Sequence, residues 1–128
     1  MPRIYLDNAA TSHPKPESVY AAVDRYNRSL GAAAGRGGYR SAVEVDAVLR
    51  TCRKRAAALL GAESPERVAF AFNATDALNM ALHGLLETGD HVVTTAAEHN
   101  SVLRPLAALV DRRGIELTVV LVDASGRV

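Results

Sequence analysis

Two short polar stretches hold residues whose types and spacing could do chemistry. In Phe72-Asn73-Ala74-Thr75-Asp76-Ala77-Leu78-Asn79, an apolar run passes directly into a helical pattern through a small polar turn. The first backbone N–H groups of a helix have no partner inside it, so a phosphate can satisfy them. Ala74 leaves room for an anion to come close, and the Thr75 hydroxyl adds a donor. Capping alone also accounts for these residues, with Asn73 as the cap and Asp76 completing a capping box. The second stretch, Thr94-Thr95-Ala96-Ala97-Glu98-His99-Asn100-Ser101, follows another apolar run. Ligands of open α/β sheets gather at such strand ends, where His99 can stack on a planar ring or move a proton. Glu98 is placed to orient that ring or to remain a surface group, and a lone histidine before a helix is more often structural. Two polar turns after successive strands point to one shared site.

Other chemistries lack their signatures. Gly31, Gly35, Gly37 and Gly38 follow a helix rather than a strand, so they do not form a dinucleotide fingerprint. They suit a flexible connector or a loop lying close to a ligand or partner. No glycine-rich loop ending in lysine and no G-x-S-x-G elbow occurs. His13, His83, His91 and His99 have no compact ligand spacing, so no metal site is expected. Cys52 is the only cysteine, which excludes an internal disulfide. Its place in an apolar stripe predicts a buried structural thiol, and a reducing, cytoplasmic setting fits.

The elements that must position these turns follow from periodicity. Residues 1–17 read as an irregular arm in which Ile4-Tyr5-Leu6 forms a short strand and Asp7 to Thr11 turns. Val19, Ala22, Val23, Tyr26 and Leu30 mark a helix over 17–30, closed by Gly31. Ser41 and Glu44 make an S-x-x-E capping box before the stripe Val45, Val48, Leu49, Cys52, Ala56, Leu59 and Leu60, which Gly61 stops. The period then changes. A strand is expected over 68–72, a helix over 73–86, a strand over 91–95 and a helix capped by Ser101. Pro105 is tolerable only near that helix's first turn, Arg113-Gly114 ends it, and a last strand spans 115–122. Strand, helix, strand, helix, strand is the pattern of a mostly parallel sheet covered by helices, an α/β class, with both polar turns at one edge.

Bulk properties narrow the function further. The 128 residues carry 15 basic and 14 acidic side chains, a net charge of +1 that gives no reason to expect nucleic acid or membrane as partner. No apolar stretch reaches the ~20 residues a membrane span needs, and the amino terminus lacks a signal-peptide core.

The segments YLDNAATSHPKP (5–16), GRGGYR (35–40), FNATDALNMALHGLLETGDHVVTTAAEHNSVLRPL (72–106) and VDASGRV (122–128) together resemble the cysteine desulfurase-like branch of the class V aminotransferase family. Order and spacing are kept over nearly the whole chain. The resemblance implies the aspartate-aminotransferase-type (fold type I) architecture, a three-layer α/β sandwich when complete, of which this chain would be the amino-terminal part. Residues 1–60 would be the arm and helices leading into the large domain, and 61–128 the start of that domain. The implied cofactor is pyridoxal 5'-phosphate. Ala74 and Thr75 would hold its phosphate, and His99 would lie against its ring and share in proton transfer. Asp7, Asn8, Ala9 and Ala10 would line the substrate side.

The implied reaction is removal of sulfur from cysteine, giving alanine and an enzyme-bound persulfide. Selenocysteine lyase chemistry or another class V reaction is the alternative. The implied partners are an amino-acid substrate, a second copy in a homodimer and a sulfur-acceptor protein. Family members supply a cofactor-binding lysine, an aspartate and further strands from later sequence, including strands between 68–72 and the pair at 91–95 and 115–122. Lys15 and Lys54 are the only lysines and neither stands in the family's lysine context, nor does Cys52 match its persulfide position. The chain by itself is therefore expected to be inactive. A shortened, non-catalytic homologue acting as an interaction module is the runner-up class, and a free-standing phosphate-ligand-binding domain a third.

Overall fold

A computed structural model describes residues 4–128, which form two compact units divided after Val68. In the first unit, residues 4–16 are irregular, and the strand expected at Ile4-Tyr5-Leu6 does not form. Helix α1 spans Glu17–Arg25, and the next turn, Tyr26–Leu30, widens to a π-helix whose last bond runs from Gly31 N–H to Tyr26 O at 3.3 Å. Helix α2 spans Arg40–Leu60 and stops at Gly61, whose φ of 67° is costly for a residue bearing a Cβ.

The capping box expected at Ser41 and Glu44 does not form. The helix starts two residues earlier, with extended Tyr39 at the cap position and no side-chain bond to the first amides. Glu44 instead accepts from Arg40 Nε at 2.8 Å, one turn away. The apolar stripe of α2 has the right period, yet only part of it is covered. Ala42, Val45 and Ala57 are buried, whereas Val48, Leu59 and Leu60 are exposed. Cys52 is exposed too, so the buried thiol expected from spacing is corrected. Periodicity tells which residues share a helix face, but burial needs a second element on that face. Here that face borders a cavity of ≈ 630 Å³ lined by Ala22, Arg25, Val48, Cys52, Arg55 and Leu59.

The second unit carries both polar turns. Helix α3 spans Ala74–Leu85, strand β1 His91–Thr95, helix α4 Asn100–Arg113 and strand β2 Glu116–Val120. The strands are parallel, in register from His91↔Glu116 to Thr95↔Val120. The last strand is shorter than the expected 115–122 because β1 offers only five partners; Leu121 and Val122 run past its end. The strand expected over 68–72 is absent, and Phe72 is 99% exposed. A strand is held by its neighbour's hydrogen bonds rather than its own. Among the described residues β1 and β2 pair only with each other.

Leu106, Leu109 and Ile115 form the core of this unit, with Leu82, Leu86, Val92, Val102 and Leu117 packed around them. Full burial of a leucine is worth about 1.5–3 kcal/mol, and Leu106 is 0% exposed. Helix α4 continues through Pro105, which lies in its second turn rather than the first and removes the N–H that Ser101 O would accept. Arg113 ties the two helices at their far ends, its Nη1 donating to His83 O and Leu86 O at 2.8 Å each. Those carbonyls are among the acceptors that the end of α3 leaves open.

Candidate functional site

At the start of α3, Asn73 is in extended conformation and its Oδ1 accepts from Asp76 N–H at 2.8 Å. Asp76 reaches back one residue further than a regular capping box, accepting from Phe72 N–H through Oδ2 at 3.2 Å. Both capping acceptors are thereby spent on Phe72 and Asp76. The N–H groups of Ala74 and Thr75 and the Thr75 hydroxyl keep no partner among the described residues. Two open amides, an adjacent hydroxyl and the small Ala74 side chain suit a phosphate group, which the helix dipole also favours.

The start of α4 is built differently from expectation. Ser101 does not cap it. His99 occupies the cap position, extended at φ −68° and ψ 152°, and its Nδ1 accepts from Ser101 N–H at 3.1 Å. Ser101 Oγ lies 2.8 Å from the same nitrogen. Glu98 does not orient the imidazole: its Oε1 accepts from Thr95 Oγ1 at 3.3 Å. Histidine is an uncommon cap, whereas serine is a preferred one, so composition alone favoured the wrong residue by two positions.

Packing of α3 against α4 brings Thr75 and His99 onto one depression of ≈ 480 Å³. Asn79, His83, Arg104 and Arg112 line it as well and were missed in the sequence. Their signal was there: Thr75, Asn79 and His83 recur every four residues on α3, as Asn100, Arg104, Ala108 and Arg112 do on α4. Asp7, Asn8, Ala9 and Ala10 belong to the first unit. There Ala10 N–H and Thr11 N–H donate to Asp7 O at 3.2 and 3.4 Å, and His13 N–H donates to Asn8 Oδ1 at 3.2 Å. Tyr5 closes this exposed turn, its hydroxyl sharing one hydrogen between Asp7 O at 2.9 Å and Thr11 O at 2.8 Å. The described residues hold no group of three or more potential metal ligands.

A parallel strand pair with α4 starting beyond the end of β1 is an α/β arrangement, and comparison with known proteins identifies it as that of the fold type I pyridoxal-phosphate enzymes. The apo cysteine desulfurase of Thermococcus onnurineus NA1 superposes with a TM-score of 0.80 at 34% identity, over 91% of this chain and 29% of that one. The cysteine desulfurase CsdA (S-sulfonic acid) of Escherichia coli gives 0.70 at 27% identity, over 94% and 31%. A probable cysteine desulfurase of Pseudomonas putida is 35% identical over 127 residues, covering 97% of this chain and 31% of that protein. The family described as Aminotransferase class-V matches residues 4–128, and the chain belongs to it. It spans a little under a third of the length of these relatives.

Proposed function

We propose that this chain forms the phosphate-side portion of a pyridoxal-phosphate site in a cysteine desulfurase-type enzyme. The observation carrying this reading is the depression that Thr75 and His99 share, with the open amides of Ala74 and Thr75 at one end of α3. When bound, the cofactor supplies the electron sink for bond cleavage at an amino acid. The Ala74 and Thr75 N–H groups and the Thr75 hydroxyl would hold its phosphate, and His99, on the same depression, would meet its ring. The substrate is cysteine or a similar amino acid, and the assembled enzyme is a cytoplasmic homodimer that passes sulfur to an acceptor protein.

The 128 residues by themselves do not turn substrate over. Lys15 donates through Nζ to Ser12 O at 2.9 Å, and Lys54 is exposed on α2. No lysine occurs in residues 69–128, the sequence that carries Thr75 and His99. The test of the binding site compares pyridoxal phosphate with unphosphorylated pyridoxal, following the backbone amide signals of Ala74 and Thr75. The phosphorylated form moves both signals, inorganic phosphate competes, and pyridoxal moves them little. Equal responses to the two compounds, or none to either, would sink the assignment. Cysteine-dependent product release by the chain, above free cofactor and abolished by Lys15→Ala/Lys54→Ala, would overturn the claim of inactivity.

A further inference from the structure

The His99 ring is held by one residue. Among the described residues, only Ser101 hydrogen-bonds it, through a backbone N–H at 3.1 Å and a hydroxyl at 2.8 Å, both on Nδ1. A backbone N–H can only donate, so Nδ1 must present its lone pair to it. A neutral imidazole with a bare Nδ1 carries its hydrogen on Nε2. Ser101 is itself buried, at 7% exposure, so its hydroxyl has little access to water as a substitute partner. The hydroxyl can rotate to donate to Nδ1 beside the amide, whereas the amide cannot reverse. Glu98 is engaged with Thr95 and takes no part.

We infer that Ser101 is a positioning residue that holds His99 Nδ1 as an acceptor and keeps the free Nε2 as a hydrogen-bond donor. The consequence for a ligand rests on the pyridoxal-phosphate reading above; the tautomer rests on the two Ser101 bonds at Nδ1 together, the amide at 3.1 Å and the shorter hydroxyl at 2.8 Å, without which the amide alone holds it only weakly. With Nδ1 spent on the helix cap and Nε2 protonated, neutral His99 has no lone pair free to act as a base. It offers its ring face and an N–H to whatever occupies the depression. Accepting a proton from a ligand at Nε2 requires the tautomer with Nδ1–H, and therefore loss of the Ser101 amide bond that caps α4.

The test reads the ring directly and uses no cofactor. Long-range 1H–15N spectra of the full 128-residue chain, at about pH 8 where an ordinary imidazole is neutral, separate protonated from bare ring nitrogens. Wild type should show a bare Nδ1 and a protonated Nε2. Ser101→Ala keeps the amide but loses the hydroxyl, and its two ring signals should move toward each other as the tautomers exchange. Ser101→Thr restores the hydroxyl and should return the wild-type pair. A protonated Nδ1 in wild type overturns the inference, as do ring signals unchanged in Ser101→Ala. Averaged signals in Ser101→Thr also overturn it, and that comparison stands if Ser101→Ala does not fold. Cofactor binding by a chain with Nδ1–H would defeat this inference and leave the proposed function; a bare Nδ1 in a chain that ignores the cofactor would do the reverse.

Discussion

Replacing Thr75 by alanine separates a binding role from a structural one, because the two roles predict changes of opposite sign. Thr75 is the second residue of α3, and its hydroxyl has no partner among the described residues. Removing it therefore breaks no internal hydrogen bond. Alanine is the better helix former, by up to about 0.7 kcal/mol in a helix interior. Stability of the second unit should hold or rise slightly. Binding should weaken, since a hydrogen bond to a charged group is worth about 1.5–3 kcal/mol. Thr75 is exposed, so water competes and the lower end applies. About 1.4 kcal/mol is tenfold in affinity, so Kd for pyridoxal phosphate should rise about tenfold. Titration of the labelled chain at fixed ionic strength measures Kd, and urea unfolding of the same samples measures stability. Thr75→Ser keeps the hydroxyl and should bind nearly as wild type. An unchanged Kd in Thr75→Ala, or a fall in affinity matched by a fall in stability, would refute the argument.

Asn73→Ala removes the acceptor of Asp76 N–H and should cost about 1 kcal/mol by urea unfolding; no loss would show that Asp76 alone sets the helix start. Leu106→Ala empties a fully buried position and should destabilise the second unit by about 2–5 kcal/mol, read as a lower denaturation midpoint. Asp123 accepts from Arg127 N–H at 2.9 Å, and from the Ser125 hydroxyl and N–H at 2.7 and 2.8 Å, which hold its carboxyl below the usual aspartate range. Because the folded value is the lower one, the turn is fully supported above the ordinary value of about 3.9 and loosens as pH falls through the folded value. The amide shifts of Ser125 and Arg127 should titrate together, below that of an aspartate in an unstructured peptide; titration at or above the peptide value would exclude the bonds. Cys52 should react with a water-soluble thiol reagent in the folded chain about as fast as in urea, and protection until unfolding would restore the buried thiol.

Much of the local structure was legible in the residues themselves, because local physics decides it. The period of α4, the stop at Gly114 and the five residues of β1 depend on spacing, backbone freedom and nearby turns. The open helix start at Ala74-Thr75 was equally local, since Asn73 and Asp76 lie within one turn of it. What the residues could not decide was who stands next to whom. The alternating and apolar character of 68–72 is that of a strand, but a strand exists only beside another strand, and the sheet of the described residues contains β1 and β2 alone. The stripe on α2 has helical period, yet Cys52, Leu59 and Leu60 are exposed because burial belongs to a pair of elements. The cap of α4 fell to His99 because the backbone there aims the Ser101 amide at Nδ1, a geometry that cap preferences do not contain. Only the packing of α3 against α4, driven by Leu106 and Leu109 and fastened by Arg113, brought Thr75 and His99 to one depression. Their separation in sequence says nothing of that distance, because the buried side chains between them set it.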